Sequence, residues 1–255
     1  MELPVNTFKA AIHARRQQIG LWCSIPSNFT AEILANSGFD WLLIDTEHTP
    51  NELANVYSQL QAVNGGTAHP IVRIPWNDAV VIKRYLDAGV QTFLIPMVQN
   101  AEEARAAVAA TRYPPKGIRG FASAARSSRF GRVKDYYSKC EQELCVLVQV
   151  ETQTALDNLE EICAVEGVDG VFIGPGDLSA SIGYLGRQGE EAVVTLIEGA
   201  IGRITKAGNR AGILTPDATL ARRYMAAGCV FTAVGSDSGL LVRHSEALAQ
   251  SFKAG

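Results

Sequence analysis

Residues 38–48 read Gly38-Phe39-Asp40-Trp41-Leu42-Leu43-Ile44-Asp45-Thr46-Glu47-His48. A glycine opens the stretch, a run of large apolar side chains follows, and Asp45, Glu47 and His48 close it. An unbroken apolar run suits a strand buried on both faces, with helices on one side and a barrel interior on the other. The glycine suits the end of the preceding helix, where a left-handed residue satisfies the last carbonyls at little steric cost. The ionisable residues then fall where a parallel strand delivers its chain to a functional loop.

The pattern recurs along the chain. Apolar runs at 19–25, 41–47, 70–75, 92–97, 144–151, 170–174, 211–215 and 231–235 make eight strand candidates. Helical stretches are expected at 29–37, 51–63, 78–88, 100–110, 152–165 and 217–227, with a first helix near the start and a last one over 238–252. Asn51, Asn77, Asn100 and Asp217 are candidate N-caps, and glycines 38, 89, 167 and 228 candidate C-terminal stops. The stretch 111–143 is the one long excursion, expected to hold a loop and an extra helix. Eight such units in 255 residues predict one (β/α)8 TIM barrel over 1–255. A doubly wound open sheet is the alternative, but no Gly-rich dinucleotide fingerprint follows the first strand.

Composition narrows the function. The apolar fraction is 47%, ample for a large core, and the formal net charge is −3, which argues against a general nucleic-acid-binding surface. Five cysteines with no CxxC pair argue against a disulfide framework or a thiolate zinc site. Cys23, Cys145 and Cys229 read as small buried side chains. No signal-peptide-like or membrane-spanning apolar stretch stands out. The expectation is a soluble, cytoplasmic protein with no membrane partner.

Ionisable residues gather after successive runs: Asp45, Glu47 and His48, then Arg73, then Glu151, then Asp177. Glu151 and Asp177 follow neighbouring strands, and two carboxylates plus water and substrate oxygens suit Mg²⁺ or Mn²⁺. The competing reading is that each caps the helix after it. His48 alone among the four histidines follows a strand end beside carboxylates. It is the candidate acid/base, with Asp45 its nearest carboxylate; the alternative is a solvated loop histidine. Arg73 ends an apolar strand and must meet an acid such as Glu47, an anionic ligand, or both. None of the seven lysines lies in an apolar strand, so a Schiff-base route has no candidate and an enolate would need a metal. The arginines and lysines of 111–143 fit a solvated or subunit-contacting loop, or a lid that recruits an anionic substrate.

These motifs carry a resemblance. With Pro96-Met97-Val98-Gln99-Asn100, Arg112-Tyr113-Pro114-Pro115, Gly117-Ile118-Arg119-Gly120 and Gly167-Val168-Asp169-Gly170-Val171-Phe172-Ile173-Gly174-Pro175, the chain resembles the class II pyruvate aldolases of the HpcH/HpaI type over nearly its whole length. The resemblance implies metal-dependent, reversible cleavage of 4-hydroxy-2-oxo acids to pyruvate, or a related 2-oxo acid such as hydroxypyruvate, and an aldehyde. It implies His48 as base supported by Asp45 and Asp87, and Arg73 at the transition state. It further implies Gln149, Asp177 and the backbone of Gly176 at the substrate, and Glu151 with Asp177 on Mg²⁺, Mn²⁺ or Co²⁺. Gly176 stands where alanine is expected, so the pocket shape is expected to differ. A homo-hexamer, with the last helix packed on a neighbouring subunit, and a place in aromatic catabolism are implied too. Aldol cleavage of 2-keto-3-deoxy sugar acids, or oxaloacetate decarboxylation, on the same site are the alternatives.

Overall fold

In a computed structural model, which describes residues 1–253, the eight apolar runs pair in sequence order as parallel strands of a closed barrel. The strands are β1 (Gln18–Cys23), β2 (Trp41–Asp45), β3 (His69–Arg73), β4 (Thr92–Ile95), β5 (Cys145–Val150), β6 (Gly170–Ile173), β7 (Ala211–Leu214) and β8 (Cys229–Ser236). Seven end one or two residues earlier than the apolar runs suggest. The residues just past those ends leave the ladder and carry the polar side chains of the rim.

The first helices are α1 (Thr7–His13), α2 (Asn28–Ala35), α3 (Leu53–Val63), α4 (Ala79–Asp87), α5 (Ala101–Thr111) and α6 (Tyr136–Glu143). The rest are α7 (Gln153–Asp157), α8 (Leu159–Cys163), α9 (Pro175–Ser181), α10 (Glu191–Lys206), α11 (Ala218–Ala227) and α12 (Asp237–Lys253). Asn100 and Asp217 cap their helices as expected. Asn51 and Asn77 do not. Asn51 turns inward, its amide nitrogen donating to the Asp45 carbonyl at 3.0 Å, and Glu52 takes the cap. Asn77 instead donates to the Glu103 carbonyl at 3.0 Å, and Asp78 caps α4. The helix expected over 152–165 is broken at Asn158, whose amide reaches across to the Gln99 carbonyl. The sequence reading leaves α10 unassigned, although Val193, Val194, Ile197, Ala200, Ile201 and Ile204 bury one face at helical spacing.

Size complementarity between neighbouring strands fills the barrel interior. Gly20 faces Trp41, Gly170 faces Leu147 and Gly212 faces Phe231 in the strand register. A Cβ on Gly20 would lie 2.1 Å from the Trp41 ring, and one on Gly212 would lie 2.0 Å from the Phe231 ring. Only glycine admits these rings.

Helix α1 closes the strand N-terminal end. Phe8 meets Trp41 and Phe231 edge to face at 6.0 and 5.7 Å between centroids, and stacks on His69 at 6.0 Å. Such aromatic pairs add about 0.5–1.5 kcal/mol each beyond area burial. All five cysteines are free and buried.

The excursion at 111–143 holds a 3₁₀ turn (Arg126–Ser128) and α6. It is not wholly solvated. Arg119 is buried, lies 4.5 Å over the Tyr113 ring and donates to the Tyr136 hydroxyl at 2.9 Å. At the other end of the chain, Asp237 is the only buried residue of α12 and accepts from the Ser24 and Ile25 amides at 2.8 and 3.0 Å. Leu241, Val242, Leu248 and Phe252 of that helix are exposed. No helix among the described residues is long and apolar enough to cross a membrane.

Candidate active site

The rim at the strand C-termini gathers most of the residues singled out from sequence. Asp45 and Arg73 are paired in the β2–β3 register, so their side chains meet directly. Arg73 donates from Nε and Nη2 to the two Asp45 carboxylate oxygens at 2.8 and 2.7 Å. The fork is bidentate and buried, the strong form of an arginine–carboxylate pair. Burial opposes the charge on Asp45, but the hydrogen bond and charge of Arg73 outweigh it and hold the carboxyl below its ordinary range. Arg73 also lies 5.2 Å from the Trp22 ring centroid. Trp22 is a rim residue that sequence reading misses. Its alternation with Leu21 and Cys23 on β1 is the signal that would have turned it inward.

This geometry corrects one expectation. Asp45 is committed to Arg73, so it does not partner His48. The imidazole is mostly exposed and its Nε2 lies 3.8 Å from Glu47 Oε2. Glu47 also sits 3.0 Å from Arg73 Nη1, but off hydrogen-bond alignment, so this buried oxygen has no hydrogen-bond partner. Burial, chiefly, pushes its carboxyl up to about 7. Arg73 opposes the rise, while Glu151, Asp45 and Asp177 add to it.

Glu151 follows β5. Its Oε1 accepts from the Met97 amide at 2.8 Å and its Oε2 from the Gln149 side chain. Met97 adopts φ +54, a left-handed conformation uncommon for a residue with a side chain, where it turns its amide toward the carboxylate. Burial raises the Glu151 carboxyl, with Asp177 adding to the rise. Gly174 leaves room for it: a Cβ there would lie 2.6 Å from Glu151 Oε2. Gln149 is buried and its Oε1 has no partner.

Neither carboxylate is the N-cap of the helix after it. Thr152 caps α7 by accepting from the Ala155 amide, so Glu151 is not the cap. Asp177 sits in the first turn of α9, and that helix has no side-chain cap. Both acids face an electrostatically unbalanced rim, where one guanidinium meets the carboxylates of Asp45, Glu47, Glu151 and Asp177. Among the described residues no group of three or more His, Cys, Asp and Glu is placed to enclose a metal. As a pair, Glu151 and Asp177 would leave other positions to water and substrate, a donor set of the kind that fits Mg²⁺ or Mn²⁺.

Gly176 is exposed on the first turn of α9, and a Cβ there would meet only the Gln188 side chain, at 3.9 Å. The expected change of pocket shape at this position thus amounts to open space for one methyl. Asp87 is not brought to the rim. It ends α4, just before β4, at the opposite end of the barrel, 3.8 Å from Arg119.

Residues 18–244 match the family HpcH/HpaI aldolase/citrate lyase. The chain belongs to that family. A "Pyruvate aldolase" of Rhizobium etli is 57% identical over 252 residues, covering 99% of each chain. A "4-hydroxy-2-oxo-heptane-1,7-dioate aldolase" of Shigella sonnei is 56% identical over 98% of this chain and 95% of its own. The crystal structure of a family member from Burkholderia cenocepacia superposes with a TM-score of 0.94 at 36% identity, covering 98% of this chain and 100% of the other. The family is one of carbon–carbon lyases, and the resemblance read from the motifs is borne out together with the barrel.

Proposed function

We propose that the chain cleaves 4-hydroxy-2-oxo acids reversibly to pyruvate and an aldehyde, using a divalent ion held by Glu151 and Asp177. The observation that carries this reading is the carboxylate pair itself: adjacent strand ends, no capping role and one guanidinium nearby. The relatives' printed names give the reaction class, and their near-complete coverage supports carrying it to this chain. The bound ion would supply Lewis-acid stabilisation of the enolate charge.

The chain's own residues do the rest. The Gly176 amide, on the first turn of α9, is free of the helix ladder and donates to the substrate carboxylate. The Gln149 side chain contacts the 2-oxo acid. His48 takes the proton from the C4 hydroxyl. As the C3–C4 bond breaks, its electron pair becomes the C2=C3 bond, the C2 carbonyl π pair moves onto its oxygen, and the aldehyde carbonyl forms at C4. Arg73, fixed by Asp45 and backed by Trp22, presents a preorganised positive charge to the resulting enolate. Protonation at C3 then gives pyruvate.

Asp87 can reach His48 only from a neighbouring subunit, because within one chain the two lie at opposite barrel ends. That is consistent with a homo-hexamer in which the exposed apolar face of α12 packs on a neighbour. The whole of 1–255 then forms one catalytic domain in each subunit.

The direct test is pyruvate release from a 4-hydroxy-2-oxo acid before and after metal stripping. Turnover should vanish in excess EDTA and return with Mg²⁺, Mn²⁺ or Co²⁺. Undiminished turnover by the stripped protein would sink the reading.

A further inference from the structure

A second cavity lies at the opposite end of the barrel from the rim. It encloses about 310 Å³ between the N-terminal segment, the C-terminal end of α3, the start of β3, the α4–β4 turn, the 3₁₀ turn and α6. That volume falls at the small end of the range for small-molecule sites, about 300–1,000 Å³.

Its lining is chemically lopsided. Arg126 and Arg129 both line it, and no aspartate or glutamate does. Among the described residues neither guanidinium forms an ion pair. Arg126 is half-buried; it lies 5.3 Å from the Tyr57 ring centroid and donates to the Ala88 carbonyl at 2.8 Å. Burial, and more weakly the charge of Arg129, hold it below the usual arginine range. The two cations thus repel each other with no protein anion between them.

The backbone supports the same reading. Arg129, Phe130 and Gly131 are three successive left-handed residues, with φ of 52°, 57° and 78°. Two of them carry side chains, a conformation that costs on the order of 1–3 kcal/mol per residue. This turn keeps Arg129 beside Arg126. Leu3, Leu60, Val63, Val90 and Leu144 give the cavity an apolar wall, with Asn64, Thr67, Gln91 and Ser127 as neutral polar neighbours. His69 is buried at the cavity edge and bonds Thr92 at 2.8 Å.

We infer that this cavity is a binding site for a small organic monocarboxylate, its carboxylate held by Arg126 and Arg129 and its apolar body seated against the leucine and valine wall. Inorganic phosphate satisfies the arginines but leaves the apolar wall empty, so a carboxylate with a ring or short chain is the better match. The site shares no residue with the catalytic rim and does not depend on the proposed reaction.

Isothermal titration with benzoate in excess EDTA tests this, with inorganic phosphate as control. About one benzoate should bind per chain, and Arg129→Met should weaken it at least about tenfold while leaving circular dichroism and pyruvate release unchanged. Arg126→Met should weaken it too, but it also frees the Ala88 carbonyl, so Arg129→Met is the deciding variant. The inference is overturned if benzoate does not bind, if Arg129→Met binds it as the parent does, or if phosphate binds as tightly as benzoate.

Discussion

At the strand N-termini, Phe8 lies among Trp41, Phe231 and His69, and glycines opposite the large rings leave them no alternative place. At the strand C-termini, carboxylates crowd one guanidinium, Gln149 and Glu47 keep buried oxygens without partners, and Met97 bears a left-handed backbone. The aromatic plug around Phe8 is closely packed, whereas the rim keeps polar groups without partners. Unsatisfied buried groups cost stability, and those at the rim are the ones that the proposed substrate and ion would complete.

Substitutions can break this contrast. The largest effect should come from Glu151→Gln, which removes a charge proposed to hold the metal and should cut pyruvate release about 10³-fold. Mn²⁺ binding followed by electron paramagnetic resonance should weaken in parallel. If Mn²⁺ still binds tightly, the carboxylate pair is not the metal site. His48→Ala should lose about 10²-fold in turnover, with circular dichroism and Mn²⁺ affinity preserved. Loss of metal as well would make His48 a ligand and not a base.

The plugged end should show the reverse profile. Phe8→Ala should lower unfolding free energy by about 3–5 kcal/mol with little change in kcat. A large fall in kcat at full stability would mean that the two ends are not separable. His69 gives this end a pH signature. Burial pushes its imidazole down to about 4 from an ordinary 6.5. The unfolded chain therefore binds the proton first, and stability falls as pH drops from about 6.5 to about 4, by about 3 kcal/mol in total. His69→Gln should remove that slope in urea titrations across the window. The smallest effect is expected at Gly176→Ala, within about twofold in KM, because the added methyl meets open space and the backbone amide stays.

The same contrast explains how far the sequence could be read. Strands were legible because both faces are buried and leave apolar runs such as Trp41-Leu42-Leu43-Ile44. His48, Arg73, Glu151 and Asp177 were legible because each follows such a run. What was not legible is how they pair. Asp45 meets Arg73 through the register between strands, a relation that no local spacing encodes, whereas spacing alone points to the nearer His48. Two of the four expected N-caps differ for a similar reason: Asn51 and Asn77 have local cap chemistry, but tertiary acceptors claim them. Trp22 hid in plain apolar context, and the place of Asp87 depends on the path of α4 down the barrel wall.

The glycine–ring pairs have a consequence for inheritance. Gly20 and Trp41 occupy one volume between them, as do Gly212 and Phe231. Neither member can vary alone: enlarging the glycine evicts the ring, and trimming the ring leaves a hole. Each pair is therefore expected to change only as a two-letter unit. Libraries that randomise positions 20 and 41 together should recover folded combinations that neither single-site library contains.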